Sequence, residues 1–486
     1  MTEEASTSRE EWGTRFGFMM AMIGAMVGAG NIWRMPYTTG MNGGGAFLLA
    51  YIILLYLIAI PGLMAETMIG RYTGKGVIGT FKQTFDNQTL RGLGFVVVIV
   101  NFALMTYYLP LVGEILYYAV HSVLFTFMDP TFQPEPFWNN FINSPILTVG
   151  THTAVAISVA VVLSLGIKDG VERMAKYMIP LMAISLVAVA IRGVTLPGGV
   201  EGLAFAFNPD WEYFLRGETW VAALGQALFS TGLGWGVALT FGSYLRKHDD
   251  VPLGGALFTA VGNTSIGLLA IFAVFPVVFA FGLEPTAGTS LAFISLVEVF
   301  PQMPGGGLWA IVFFFGFFFA AFSSAFALTE PMVTTLSEEF GYSRNQTVGG
   351  VAFLIWLLGI PSAISQDILG TLDYMFGNFG LPIATLAVIT LVGWKFQPER
   401  SRVLELNRNA DIYIGSWWNP IVQYVIPAVM LFIIAYGAVT SLGSENETLM
   451  FGGLALMTII VTISLGLAQV LNMRTENERS PVSRGD

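Results

Sequence analysis

Long apolar runs separated by short polar and basic loops dominate this 486-residue chain. A bilayer crossing needs about 20 such residues. Runs of that order recur about twelve times, near 16–37, 43–70, 93–127, 147–167, 173–194, 219–245, 253–282, 307–336, 347–364, 368–395, 418–441 and 450–472. Between the third and fourth, the stretch Met128–Ser144, rich in Pro, Phe and Asn, is expected as an extended loop. Between the seventh and eighth, Thr289–Phe300 reads as an amphipathic helix too short to span, lying across an entrance. The pattern predicts an all-α integral membrane protein.

Two runs are irregular where a membrane helix should be most regular. The first carries Gly24, Gly28, Gly30, Asn31, Arg34 and Pro36 within 24–36, and the sixth carries Ser230-Thr231-Gly232-Leu233-Gly234-Trp235-Gly236. Glycine loosens a helix, and each backbone group released in hydrocarbon must find another partner. A glycine face for close helix packing accounts for the first stretch alone. Together they occupy matching places, each in the first of five runs. Five is odd, so two such halves enter the membrane from opposite sides, as inverted-topology repeats do. The expected organisation is a segment 1–15, a first five-helix repeat 16–194, an inverted repeat 219–395, two further helices within 418–472 and a tail 473–486.

Basic residues orient the chain. Arg71, Lys75, Lys82 and Arg91 follow run two; Lys168, Arg173 and Lys176 follow run four. Arg246 and Lys247 follow run six, Arg344 run eight, and Lys395, Arg400, Arg402 and Arg408 run ten. Loops after runs three, nine and eleven carry none, and Arg216 after run five is a mild exception. Every second loop is basic, which predicts cytoplasmic termini in a plasma (inner) membrane protein. Composition adds little: 54% hydrophobic and 11% charged residues agree with a membrane protein. The lack of cysteine removes disulfides and thiol chemistry. The net charge of −10 gives no reason to expect nucleic acid.

Within the runs, Asn31, Gln226, Ser230, Asn263, Ser323 and Ser324 offer neutral oxygen donors. With carbonyls freed by the breaks they suit a small hard cation, although singly such residues more often bond neighbouring helices. Arg34 and Asp373 fall toward the outer ends of their helices, Arg9 and Glu338 on the cytoplasmic side; such pairs across a pathway would act as gates. The plainer reading of each is an interfacial charge reaching for water. Glu66, deep in run two with no cation near in sequence, is expected to accept hydrogen bonds from a loosened backbone, while Glu114 and Glu330 are read as structural. His121, His152 and His248 are remote from one another, and no HExxH, nucleophile elbow or phosphate loop occurs, so no enzyme is expected.

At Arg9–Arg15, the first break through Arg34-Met35-Pro36, Asn42-Gly43-Gly44-Gly45-Ala46-Phe47, Met68–Tyr72, Tyr107-Tyr108, Gln226–Gly236, Gly242-Ser243-Tyr244, Ser323-Ser324 and Glu330-Pro331-Met332, the chain resembles the neurotransmitter:sodium symporter family, in its bacterial leucine-transporter-like amino-acid branch. The resemblance implies the leucine-transporter fold, with about twelve helices and Na+-driven uptake by alternating access. It implies a first Na+ site of the Met26 carbonyl, Asn31, Ser230 and Asn263, and a second of carbonyls of Gly24, Val27 and Ala320 with the hydroxyls of Ser323 and Ser324. The substrate carboxylate would meet the amides of Ala29 and Gly30 and the Tyr108 hydroxyl. The remaining walls would be Ala25, Met26, Leu104, Phe229, Ser230, Gly232, Trp235, Ser324 and Leu328. Arg34 with Asp373, lidded by Phe229, would form the outer gate, and Arg9 with Glu338, beside Trp12 and Tyr244, the inner one. Tyr51, Gln226, Ser230 and Asn263 would remain for chloride, whose use stays open because Gly267 stands where chloride-dependent members have serine. In monoamine carriers an aspartate stands at the position of Gly28, so glycine argues for a substrate with its own carboxylate, a neutral amino acid. Met26 and Trp235 are bulkier than the residues usual there. The same scaffold would also suit a transport-inactive sensor, a symporter of another small carboxylate, or a channel. The expected partners are the substrate and the bilayer, with the protein a monomer or homodimer.

Overall fold

The computed structural model describes residues 10–283, 291–442 and 447–479, all helices and connections, with no strand among them beyond one isolated bridge between Gly44 and Pro209. Ten helices are long and apolar enough to span: α2 (Gly45–Thr73), α3 (Gln88–Val123), α4 (Pro145–Ser164), α5 (Ile167–Val194), α7 (Pro252–Ala280), α8 (Gly306–Phe340), α9 (Arg344–Ile364), α10 (Gln366–Lys395), α11 (Trp418–Thr440) and α12 (Glu447–Ala468). Helix α1 is a bent pair, Arg15–Met26 and Gly30–Met41, whose halves meet at 58°. Helix α6 is likewise in two pieces, Gly217–Thr231 and Val237–Gly242. Its second piece is only six residues long, so α6 falls short of a continuous span. About twelve spans were expected; ten to eleven stand by length, and α6 makes up the difference.

Burial orders the bundle. Helix α3 is 83% buried along its most apolar window and α8 72%, whereas α11 and α12 are 22% and 28% buried, so the last two lie at the periphery and face lipid. Of the broken helices, the first half of α1 packs on α8 and the second half of α6 on α2. At the latter crossing a Cβ on Gly70 would fall 1.9 Å from the Leu239 carbonyl oxygen, so only glycine permits that approach.

One local expectation changes. The stretch Met128–Ser144 is not wholly extended: it contains a helix, Pro134–Ile142, started by proline at its first position. Phe137 and Phe141 of that helix stack on Tyr117, and Trp138 on Phe293. The aromatic density read as loop composition is the packing face of a short helix. After α7 the chain forms the expected short apolar helix, Ala292–Gln302, while Thr289 and Ser290 lie outside the described residues.

Candidate substrate and ion site

Both breaks fall where the glycine clusters predicted. In α1 regular hydrogen bonding stops at Met26, Val27 is extended (φ −83°, ψ 94°), and a π-turn restarts the helix at Gly30. In α6 it stops at Thr231, with Gly232, Gly234 and Gly236 all at positive φ (62°, 88° and 74°). These left-handed conformations cost glycine nothing, which is why the segment is built from it. Glu66 of α2, fully buried, accepts from the Gly234 N–H at 3.2 Å and the Gly236 N–H at 3.0 Å. The expected partner of the loosened backbone is in place.

Two clusters of neutral oxygens form around the α1 break. In one, the Ser323 hydroxyl donates to the carbonyls of Gly24 (3.0 Å) and Ala320 (2.9 Å), and the Ser324 hydroxyl to those of Gly24 and Val27 (both 3.0 Å). All five residues expected at the second ion site are thus in one network. In the other, the Asn31 amide nitrogen donates to the Asn263 carboxamide oxygen at 2.9 Å, and Asn263 donates to the Ser230 hydroxyl at 3.1 Å. The Asn263 oxygen also faces two main-chain oxygens, of Met26 at 3.2 Å and Ser230 at 3.1 Å. Reversing its amide would answer those carbonyls with a donor. It would also set two amide nitrogens 2.9 Å apart, unless Asn31 turned too and gave up the Gly28 N–H it accepts. An amide, two carbonyls and a hydroxyl gathered without any carboxylate are the donor set of a small hard cation, and a cation among them removes the oxygen–oxygen conflict without reversal.

Beside these clusters lies a small cavity lined by Ala25, Met26, Gly28, Gly30, Asn31, Tyr108, Phe229, Trp235, Ser324 and Leu328. Its free space is about 10 Å3, roughly one water molecule. The Tyr108 hydroxyl accepts from the Ala29 N–H at 3.4 Å and donates to the Ala321 carbonyl at 3.2 Å. A Cβ at Gly28 would fall 2.8 Å from that hydroxyl, so glycine is needed for the approach. Of the other expected wall residues, Gly232 underlies the Met26 sulfur, while Leu104 is buried on α3 without lining the cavity.

Of the residues expected at the outer gate, Arg34 and Asp373 stand apart. The Arg34 guanidinium lies over the Phe229 ring, 5.0 Å from its centre. It makes no ion pair within 4.0 Å with Asp373, which is half-buried close to the Tyr107 hydroxyl. On the other side the Trp12 indole donates to the Phe241 carbonyl at 2.9 Å, with the Tyr244 ring 6.2 Å away. Arg9 lies outside the described residues; its expected partner Glu338 accepts from the Gly76 N–H at 2.9 Å. Of the residues expected for chloride, Tyr51 and Asn263 both meet the Ser230 hydroxyl, at 3.3 and 3.1 Å, and Tyr51 also lies 3.2 Å from the Thr264 hydroxyl, whereas Gln226 donates instead to the Gly30 carbonyl at 3.3 Å. The Met35 sulfur fills the space beside Gly267.

Sequence reasoning read Glu330 as structural without naming its partners, and missed Asn101 and Thr385. Buried Glu330 receives two hydrogen bonds from Arg344 (2.9 and 2.7 Å) and one from the Tyr244 hydroxyl (2.8 Å), tying α8, α9 and the end of α6 together. Asn101 donates to the Leu328 carbonyl (2.8 Å) and Thr385 to the Leu233 carbonyl (3.0 Å), supporting the cavity wall and the α6 break. A lone asparagine in the apolar run of α3 was the one available signal.

The chain matches the sequence model of the sodium:neurotransmitter symporter family over residues 9–140 and 142–475. It is 32% identical to an uncharacterized sodium-dependent transporter of Haemophilus influenzae, over 87% of this chain and 97% of the relative. It is 29% identical to the uncharacterized sodium-dependent transporter YhdH of Bacillus subtilis, over 87% and 96%. The crystal structure of MhsT in complex with L-phenylalanine is similar in fold, with a TM-score of 0.81 and 32% identity over 88% of this chain and all of that one. Broken helices α1 and α6, buried oxygen clusters and family match agree: the chain belongs to the sodium:neurotransmitter symporter family, multi-pass membrane transporters and not enzymes, with the leucine-transporter fold and Na+ coupling.

Proposed function

We propose that the protein couples inward movement of two Na+ to import of a neutral amino acid across the plasma membrane, by alternating access and with both termini cytoplasmic. The observation that carries this reading is the convergence of uncharged oxygens at the α1 break, in the Ser323–Ser324 network and around Asn263. The first cluster abuts the cavity through Ser324 and the second through Asn31, so ions and substrate would share walls. Amides at a helix break favour an anion, and Ala29, Gly30 and Tyr108 would receive the substrate carboxylate. The L-phenylalanine named with MhsT supports an amino acid as the substrate class. A membrane potential of 100 mV supplies about 2.3 kcal/mol per charge, so two Na+ with a zwitterion gain roughly twice that. In the proposed cycle Phe229 and Arg34 cover the site on one side, and Trp12 with Tyr244 closes it on the other.

The test is uptake of labelled amino acids into proteoliposomes with and without an inward Na+ gradient. Concentrative, gradient-dependent uptake is expected. Replacing Asn31 by Ala should abolish Na+-dependent binding, and undiminished binding would remove Asn31 from the ion site.

A further inference from the structure

We propose that Glu114 of α3 is a proton-binding site tied to the seam between α3 and α10: it holds a proton while that seam is closed and gives it up to bulk water when the seam opens. The inference does not depend on which substrate the protein carries. Five acidic side chains are buried among the described residues: Glu66, Glu114, Glu172, Asp250 and Glu330. Four of them have donors enough to stay ionised. Glu66 accepts two main-chain N–H groups, and Glu330 faces Arg344 and the Tyr244 hydroxyl. Glu172 accepts from the Gly13 N–H, the Thr14 hydroxyl and the Lys176 ammonium. Asp250 accepts from the N–H groups of Leu253, Gly254 and Asp411 and lies 3.6 Å from Arg15. Glu114 is the exception. One neutral amide, that of Gln366 at the start of α10, donates to it at 2.6 Å, and it makes no ion pair within 4.0 Å among the described residues.

The surroundings of Glu114 supply no permanent cation. Tyr118 and His121 follow it on α3, and His121 bonds the Thr126 hydroxyl. From α4 comes His152, whose Nε2 meets the Trp356 carbonyl, and from α10 come Asp367 and Asp373. Helix α12 has Glu447 at its first position, and the short helices over this end of α3 carry Glu135 and Glu298, both exposed. On α8 and α9 the charged residues lie toward the other end, from Glu330 onward and at Arg344. The Arg34 guanidinium of α1 lies over the Phe229 ring. A carboxylate in such a place bears a desolvation cost that one neutral donor does not offset, and the group neutralises by holding a proton. The partner suits a neutral acid: an amide presents a donor and an acceptor, and only a protonated carboxyl answers both.

Position gives that proton a role. Glu114 follows Tyr107 by seven residues, and Gln366 precedes Asp373 by seven. Asp373 stands close to the Tyr107 hydroxyl, so the two pairs are successive rungs of one antiparallel seam between α3 and α10, about 10 Å apart along the helices. The inner rung belongs, with Arg34 and Phe229, to the proposed cover of the cavity. Parting α3 from α10 lets water reach Glu114, whose carboxyl then releases its proton to that water. Closing the seam takes one proton back. Acid therefore favours the closed seam and base the open one.

The experiment has two readouts on purified full-length protein in detergent with Na+. Infrared difference spectra at neutral pH, wild type minus Glu114→Gln, should show the C=O band of a protonated carboxylic acid. Gln366→Lys, which sets a cation beside the carboxylate, should remove that band by an independent route. The second readout uses the absence of cysteine from the chain, so that Leu111→Cys provides a unique thiol. Leu111 is buried, four residues from Tyr107 and three from Glu114 on the same face of α3. Its rate of maleimide labelling is divided at each pH by the rate in the Glu114→Gln background, which cancels the thiol's own titration. The ratio should rise with pH, by up to about tenfold per unit for one linked proton. A wild-type spectrum without the acid band overturns the inference, leaving an ionised Glu114 neutralised by a bound cation. A labelling ratio that does not change with pH, or a thiol unreactive at every pH, overturns the link between the proton and the seam.

Discussion

Glu66 gives the most direct test of what holds the site open. It accepts one hydrogen bond on each carboxylate oxygen, from Gly234 and Gly236, inside a stretch of α6 that has no regular helical hydrogen bonding. Glu66→Gln keeps volume and one acceptor but sets an NH2 group against the second N–H. A hydrogen bond to a charged group is worth about 1.5–3 kcal/mol, and a buried donor left unmet costs a similar amount. The single exchange should therefore cost about 2 kcal/mol, roughly thirtyfold in the equilibrium favouring the broken helix. Glu66→Ala strips both acceptors and should cost about twice as much, with an added cavity.

Thermal unfolding in detergent and Na+-dependent substrate binding should fall together in Glu66→Gln, because the same segment carries Trp235 and follows directly on Phe229 and Ser230. The melting temperature should drop by a few degrees and the apparent Na+ affinity by an order of magnitude. A Glu66→Gln protein with wild-type melting and wild-type Na+ dependence would refute the reasoning. It would mean that the α6 break is held by its glycines and by Thr385 without the carboxylate.

Three further outcomes follow from the geometry. Ser323→Ala removes one of two hydroxyls on the Gly24 carbonyl, and the Na+ concentration for half-maximal binding should rise about tenfold with little change in melting. Arg344→Met leaves the Glu330 carboxylate buried without its cation, which should cost about 3–5 kcal/mol, while Glu330→Met with Arg344→Met should recover much of the loss; thermal unfolding of the single and double variants checks this. Gly70→Ala forces a methyl to within 1.9 Å of the Leu239 carbonyl and should abolish accumulation of folded protein, read by size-exclusion chromatography.

The parts legible in the sequence share one property: they are polar or flexible groups where hydrocarbon demands neither. Glycines at 24–30 and 232–236 marked both breaks, and a carboxylate at Glu66 inside an apolar run had to have a partner in the protein. What was not legible depends on which helices become neighbours. Arg344 read as an ordinary interfacial cation because nothing in its run shows that Gly341 turns the chain back, with φ +69°, to set it on Glu330. Nothing in the sequence says what Thr385 and Asn101 bond, and only the folded bundle shows that they brace carbonyls beside the α6 break and the cavity. The helix Pro134–Ile142 was hidden by its Pro and Asn residues, which favour turns, a preference that packing of Phe137 and Phe141 on Tyr117 overrides.

The same arrangement bears on coupling. Ser324 bonds the Gly24 and Val27 carbonyls through its hydroxyl while lining the cavity, and Asn31 joins the Asn263 cluster while lining it from another side. On the proposed assignment, each ion orders a residue that the substrate also touches, so no relay through the bundle is needed. Linkage then requires reciprocity: if Na+ raises substrate affinity by some factor, substrate must raise Na+ affinity by the same factor. Titrating each against the other in one preparation measures both. A factor of about one in both would refute the shared-wall assignment, and a common factor that changes with chloride concentration would show that chloride, for which Tyr51 is the nearest candidate residue, is linked as well.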